Sequence, residues 1–190
     1  MEPIISDYLN KFEQHLRSSL RTIAISHGRL RPVASGADNI LESEDIMGYW
    51  HKVEANYMAD AVPQIAAYPT VSVAWALYLG MAVAQHWDAD WTSHADAPYE
   101  SYYGNQGFDN MDDHIVRDIL LMPLQSKEAQ SLISVVQSLA QETVSLIRHE
   151  QIEPQSKMAF YVFARACNAM YAIGAAMQLT SLGYVLENVK

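Results

Sequence analysis

The chain has 190 residues, half of them hydrophobic, which is enough to bury one core, and its formal net charge is −10. That balance argues against nucleic acid as a partner, because such binding needs clustered Lys and Arg to displace counterions. A single cysteine, Cys167, excludes an internal disulfide framework and agrees with a reducing, cytoplasmic setting.

The N-terminal M-E-P-I-I-S-D-Y-L-N-K has neither a basic region nor an apolar run, so no signal peptide is expected. Residues 4–27 carry the pattern of an amphipathic helix. Ile5, Leu9, Phe12, Leu16, Leu20 and Ile23 recur at helical spacing, with Asn10, Glu13, Gln14 and Arg17 on the other side. Gly28 stops it and Pro32 lies beyond the stop. A second helix is expected from Asn39 or Ser43, with Glu42, Glu44 and Asp45 suited to the positive end of its dipole. Pro63 ends or kinks it.

The segment Pro69–Trp91 has no charge between Val71 and Ala84, which marks a helix buried nearly all round. Its uncharged length falls short of the ~20 residues a bilayer needs, and the small residues of Ala166–Leu186 suit close helix packing, so no membrane span is expected. The 17 or so residues after Trp91 have no periodicity. A loop that long is usually functional or disordered, and its four aromatics favour an ordered lid or binding loop. Asp109 is placed to cap a short helix that Pro123 stops, and Asp112 and Asp113 suit its first turn. Ser126 caps the next helix, whose stripe runs from Ala129 to Ile147. Pro154 opens a last helix to about Leu186, set beside the Pro69–Trp91 rod. No stretch alternates with period two. The expected fold is an all-α, single-domain bundle (1–190) of five or six helices with two largely apolar central ones.

One constellation points to chemistry. His86-Trp-Asp-Ala-Asp-Trp-Thr-Ser-His-Ala-Asp96 holds two histidines and three aspartates within eleven residues. Asp88 and Asp90 stand where the dipole of a helix C-terminus disfavours anions. A His/Asp set suits a divalent transition metal on His86, Asp88, Asp90 and His94, completed by His51, Glu54 or His114. Asp88–Asp90 also resembles the start of a calcium loop, but Ser93 and Tyr99 stand where that loop needs Gly and Glu. Between His86 and Asp118 eight acids face one base, Arg117, so this sixth of the chain carries seven of the ten net charges. With Trp87, Trp91, Tyr99, Tyr102 and Tyr103 among Asp109, Asp112 and Asp113, the region fits a face that receives a basic protein surface. Arg165, set in an apolar helix, needs an acid such as Glu54 or Asp60, or else clamps an anionic ligand.

Phosphate-loop, nucleophile-elbow, zincin and paired E-x-x-H motifs are all missing. Two classes of function therefore stand: a helical protein-binding module, and a metal- or ligand-binding enzyme or sensor at the end of helix 69–91.

Overall fold

The computed structural model describes residues 3–33 and 39–186. It is all-helical, with six helices in chain order: α1 (Pro3–Ser26), α2 (Glu44–Ala61), α3 (Pro69–His94), α4 (Met111–His114), α5 (Lys127–His149) and α6 (Lys157–Ser181). No strand occurs among the described residues. The two apolar helices form the centre. In α3 nearly every residue from Ser72 to Ala84 is buried, and in α6 nearly every one from Ala166 to Leu179. Their backbones nearly touch, which only glycine permits. A β-carbon on Gly80 would stand 2.1 Å from the Tyr171 carbonyl oxygen, and one on Gly174 would stand 2.0 Å from that of Leu77.

The amphipathic helices cover this pair. α1 lays Leu9, Phe12, Leu16, Leu20 and Ala24 against α6 and α5, while α5 also packs on α3. α2 packs on α3 and α6, and its large rings enter the core as well. Trp50 stacks on Tyr171 with ring centroids 4.7 Å apart. The phenols find backbone acceptors: Tyr57 donates to the Ser72 carbonyl at 2.5 Å and Tyr171 to that of Ile46 at 2.8 Å. Tyr57 and Tyr171 thus keep a partner on burial, whereas the Trp50 indole N–H and the Tyr99 hydroxyl have no hydrogen-bond partner among the described residues.

Several boundaries differ from the sequence expectation. α3 continues three residues past Trp91, to His94. The last helix starts at Lys157, capped by Ser156, whose hydroxyl accepts the Ala159 N–H at 3.1 Å. Pro154 therefore lies in the preceding turn. α6 ends at Ser181, five residues before Leu186. Asp109 is no cap: Asn110 precedes α4, and Asp109 sits within a 3₁₀ turn, Phe108–Asn110. α4 runs on into a π turn, Ile115–Ile119. No helix among the described residues is long and apolar enough to cross a membrane.

Candidate functional site

The charged end of α3 is shaped by a break at Asp90, whose backbone is extended (φ −165°, ψ 81°). That break explains an aspartate that a helix C-terminus would disfavour. The Asp90 carboxylate accepts the Ser93 N–H at 3.3 Å and the Ser93 hydroxyl at 2.6 Å, so it caps the new turn that carries Trp91–His94. His94 Nδ1 lies 2.8 Å from the Asp90 carbonyl, and its ring folds back on His86 with centroids 3.9 Å apart. His86 Nδ1 is 3.3 Å from the hydroxyl of buried Tyr102. Burial first, and then the neighbouring His94 and His114, push His86 down to about 4.

The other expected metal ligands are occupied elsewhere. Asp88 accepts the Tyr184 hydroxyl at 2.8 Å. His114 Nδ1 lies 2.8 Å from Asp118, which also accepts from Arg117 at 2.9 and 2.7 Å; these donors hold the Asp118 carboxyl well below the usual range. His51 and Glu54 line a different groove, on the far side of α2 beside Phe160. Among the described residues no three His, Cys, Asp or Glu side chains are grouped to hold a metal. A transition metal needs three or more protein ligands, and His86 and His94 stack rather than converge. The set His86, Asp88, Asp90 and His94, with or without His51, Glu54 and His114, thus lacks the geometry of a metal centre.

The segment after α3 is ordered, as its aromatics suggest, but it is not a lid. Three short 3₁₀ turns fold it against α2 and α3. Tyr49 donates to the Ala97 carbonyl at 3.0 Å, Lys52 pairs with Asp96 at 2.9 Å, and the Tyr103 hydroxyl donates to Asp60. Phe108 meets Trp75 edge-on, with centroids 4.5 Å apart. Tyr99 and Tyr102 are 1 % and 0 % exposed, so they are core residues and not contact rings. Burial of their ring surface is the physical reason for their position, offset at Tyr99 by a buried hydroxyl without a hydrogen-bond partner among the described residues. Trp87, Trp91 and Tyr103 remain half-buried; the Trp87 indole donates to Asp45 at 3.1 Å, and its ring lies beside Tyr184.

The acids divide differently. Asp88, Asp90, Asp96, Glu100, Asp109, Asp113 and Asp118 are exposed. Asp112 is half-buried; desolvation raises its carboxyl, while a bond from the Trp75 indole pulls the other way. Lys52 and Arg117 neutralise Asp96 and Asp118. The remaining five exposed acids have no ion-pair partner among the described residues.

Arg165 is ion-paired, but with neither Glu54 nor Asp60. Its Nη1 lies 2.8 Å from Glu13 Oε2, and Asn168 donates to Glu13 Oε1 at 2.6 Å. Arg17 adds a contact to Glu13 at 3.2 Å and reaches Glu42 at 2.6 Å. Glu13 is only 8 % exposed and ties α1 to α6; the sequence reading assigned it to the polar side of its helix. The available signal was its place beside Phe12 and Leu16, with Arg17 one turn on. Comparison with protein-family models, curated proteins and solved structures finds no match to this chain.

Proposed function

We propose that the protein is a helical protein-binding module whose acidic face receives a basic surface of a partner. The observation that carries this reading is the set of five exposed carboxylates, Asp88, Asp90, Glu100, Asp109 and Asp113, that make no ion pair among the described residues. They belong to α3, to the stapled segment that follows it and, for Asp113, to α4, and the buried Tyr99 and Tyr102 give that segment a firm base. A preformed face loses little conformational entropy when a partner docks. Unneutralised carboxylates raise the on-rate for a basic partner and select against acidic ones. The half-buried Trp87, Trp91 and Tyr103 supply apolar area beside them.

The test uses two variants of equal net charge. One neutralises the face with Asp88→Asn, Glu100→Gln, Asp109→Asn and Asp113→Asn. The other neutralises acids on α1, on α5 and in the turn after α5 with Asp7→Asn, Glu128→Gln, Glu150→Gln and Glu153→Gln. A partner of this face is retained from extract by the wild type and the second variant, lost by the first, and released as salt rises above about 0.15 M. Equal retention by all three proteins, or salt-insensitive retention, overturns the reading.

A further inference from the structure

Three of the seven arginines, Arg17, Arg117 and Arg165, are held in ion pairs with carboxylates. Three others, Arg21, Arg29 and Arg31, gather where the end of α1 meets the C-terminal end of α6. Local geometry puts them there. Gly28, at φ 69°, ends α1, and the Arg29 N–H turns back to the Ala24 carbonyl at 2.8 Å. Leu30 is buried, which leaves the arginines on either side of it at the surface. Arg29 reaches the Ser131 hydroxyl at 2.9 Å. Arg21 and Arg31 have no ion-pair partner among the described residues and line one cavity of about 220 Å³. Its apolar walls include Leu30, Ile40, Leu41 and Val185, and Thr180 adds a hydroxyl.

A second cavity of about 240 Å³ shares Arg31 and Thr180 with the first and is floored by Met81, Met122 and Met177. Gln178 also lines it; its Nε2 donates to Gln85 at 2.7 Å, while its buried Oε1 has no partner among the described residues. Each cavity is below the ~300–1,000 Å³ of drug-sized ligand sites, which restricts the first to a small ligand.

Neither lining contains a carboxylate among the described residues. Of the nearby acids, Glu42, next to Leu41, is paired with Arg17, while Asp88 keeps its charge and accepts the Tyr184 hydroxyl. In a chain of net charge −10, two arginines that line one cavity and have no ion-pair partner among the described residues run against the overall balance. Like charges so placed repel, and an anion between them relieves that repulsion. Guanidinium groups match carboxylate and phosphate oxygens in fork geometry.

We infer that this cleft binds a small amphiphilic anion, its carboxylate or phosphate head between Arg21 and Arg31 and its apolar body against Leu30, Ile40, Leu41 and Val185. The cavity adjoins the acidic face through Tyr184, which lines it and donates to Asp88, but the inference does not rest on that reading.

The test is a titration of the full chain, followed by amide NMR, with octanoate and octyl phosphate as probes. Octanol lacks the charge, octylammonium reverses it, and inorganic phosphate lacks the apolar body. Either anionic probe is expected to saturate shifts around residues 30, 41 and 180, at least about tenfold more tightly than the other three compounds. Arg21→Gln combined with Arg31→Gln weakens that binding by roughly tenfold or more, whereas Arg148→Gln, on α5, leaves it unchanged. Circular dichroism of each variant confirms that the fold is kept. Vesicles containing anionic phospholipid separate two sources of the head group. Arginine-dependent sedimentation with vesicles, without saturation by either free anion, assigns the head to a lipid surface. The inference is overturned if no anionic probe or vesicle binds, or if the double variant binds as the wild type does.

Discussion

The carbonyl oxygen of Tyr171 lies 2.1 Å from the point where a β-carbon on Gly80 would stand. α3 and α6 are therefore in backbone contact there, and neither helix can give way without shearing the core built on both. Gly80→Ala is expected to destabilise the protein by about 3 kcal/mol or more, and Gly174→Ala by a similar amount. Gly48, in α2, has nothing within 4 Å of its β position. Gly48→Ala should instead stabilise by about 0.5–1 kcal/mol, through helix propensity alone. Urea denaturation of the three variants checks the contrast.

Glu13 should matter more than the arginine that first draws attention. It accepts hydrogen bonds from Arg165 and Asn168 and has the Arg17 guanidinium at ion-pair distance, while Arg165 has no ion-pair partner but Glu13 among the described residues. Glu13→Ala leaves Arg165 and Asn168 without their acceptor and removes one of the two carboxylates beside Arg17, and it is expected to cost about 3 kcal/mol. Arg165→Met leaves Glu13 with the Asn168 bond and the nearby Arg17 charge, and Arg165 is about a third exposed, so the loss should be nearer 1–2 kcal/mol. A double-mutant cycle on the pair measures the coupling directly.

Helix capping gives a third expectation. Ser126 and Ser156 each accept an N–H three residues on, at 3.1 Å, whereas Ser43 makes no side-chain bond to the start of α2. Ser126→Ala and Ser156→Ala should each lower stability by about 1 kcal/mol, and Ser43→Ala by much less. Thermal melts of the three single variants decide it.

The fourth expectation concerns pH. An unfolded histidine takes up its proton near 6.5, but folded His86 resists protonation down to about 4. Between those values the unfolded chain binds more protons, so stability should fall as pH drops from about 6.5 toward 4. Glu54 and Asp112, whose carboxyls are raised mainly by burial, oppose this trend at its lower end. The His86 contribution is therefore read as a difference. His86→Gln should flatten the decline over that window, and an unchanged slope would exclude His86 as its source.

The helices were legible in the sequence because their signals are local. Apolar spacing placed α1 and α5, Pro63 and Pro69 bracketed the turn before α3, and Ser126 marked its own helix. The candidate site was legible only as a composition. Nothing local distinguishes an aspartate that ends one helix from one that caps the next turn, as Asp90 does. Tyr99 and Tyr102 sit in a stretch without periodicity, so their burial depends on α2, some fifty residues earlier in the chain. The partner of Arg165 was out of reach for the same reason: Glu13 is 152 positions away.

The joining of α1 and α3 to α6 also sets when the chain can fold as it is synthesised. The apolar surface of α3 is complete once Ala84 has been made, yet the helix that shelters most of it ends at Ser181. Through the synthesis of almost a hundred further residues, the most water-averse segment of the chain lacks its permanent cover. Such exposed apolar surface is what chaperones bind and what aggregates in their absence. Chains truncated before α6 should thus emerge from the ribosome as chaperone-bound or insoluble species, and solubility should return only when α6 has cleared the exit tunnel.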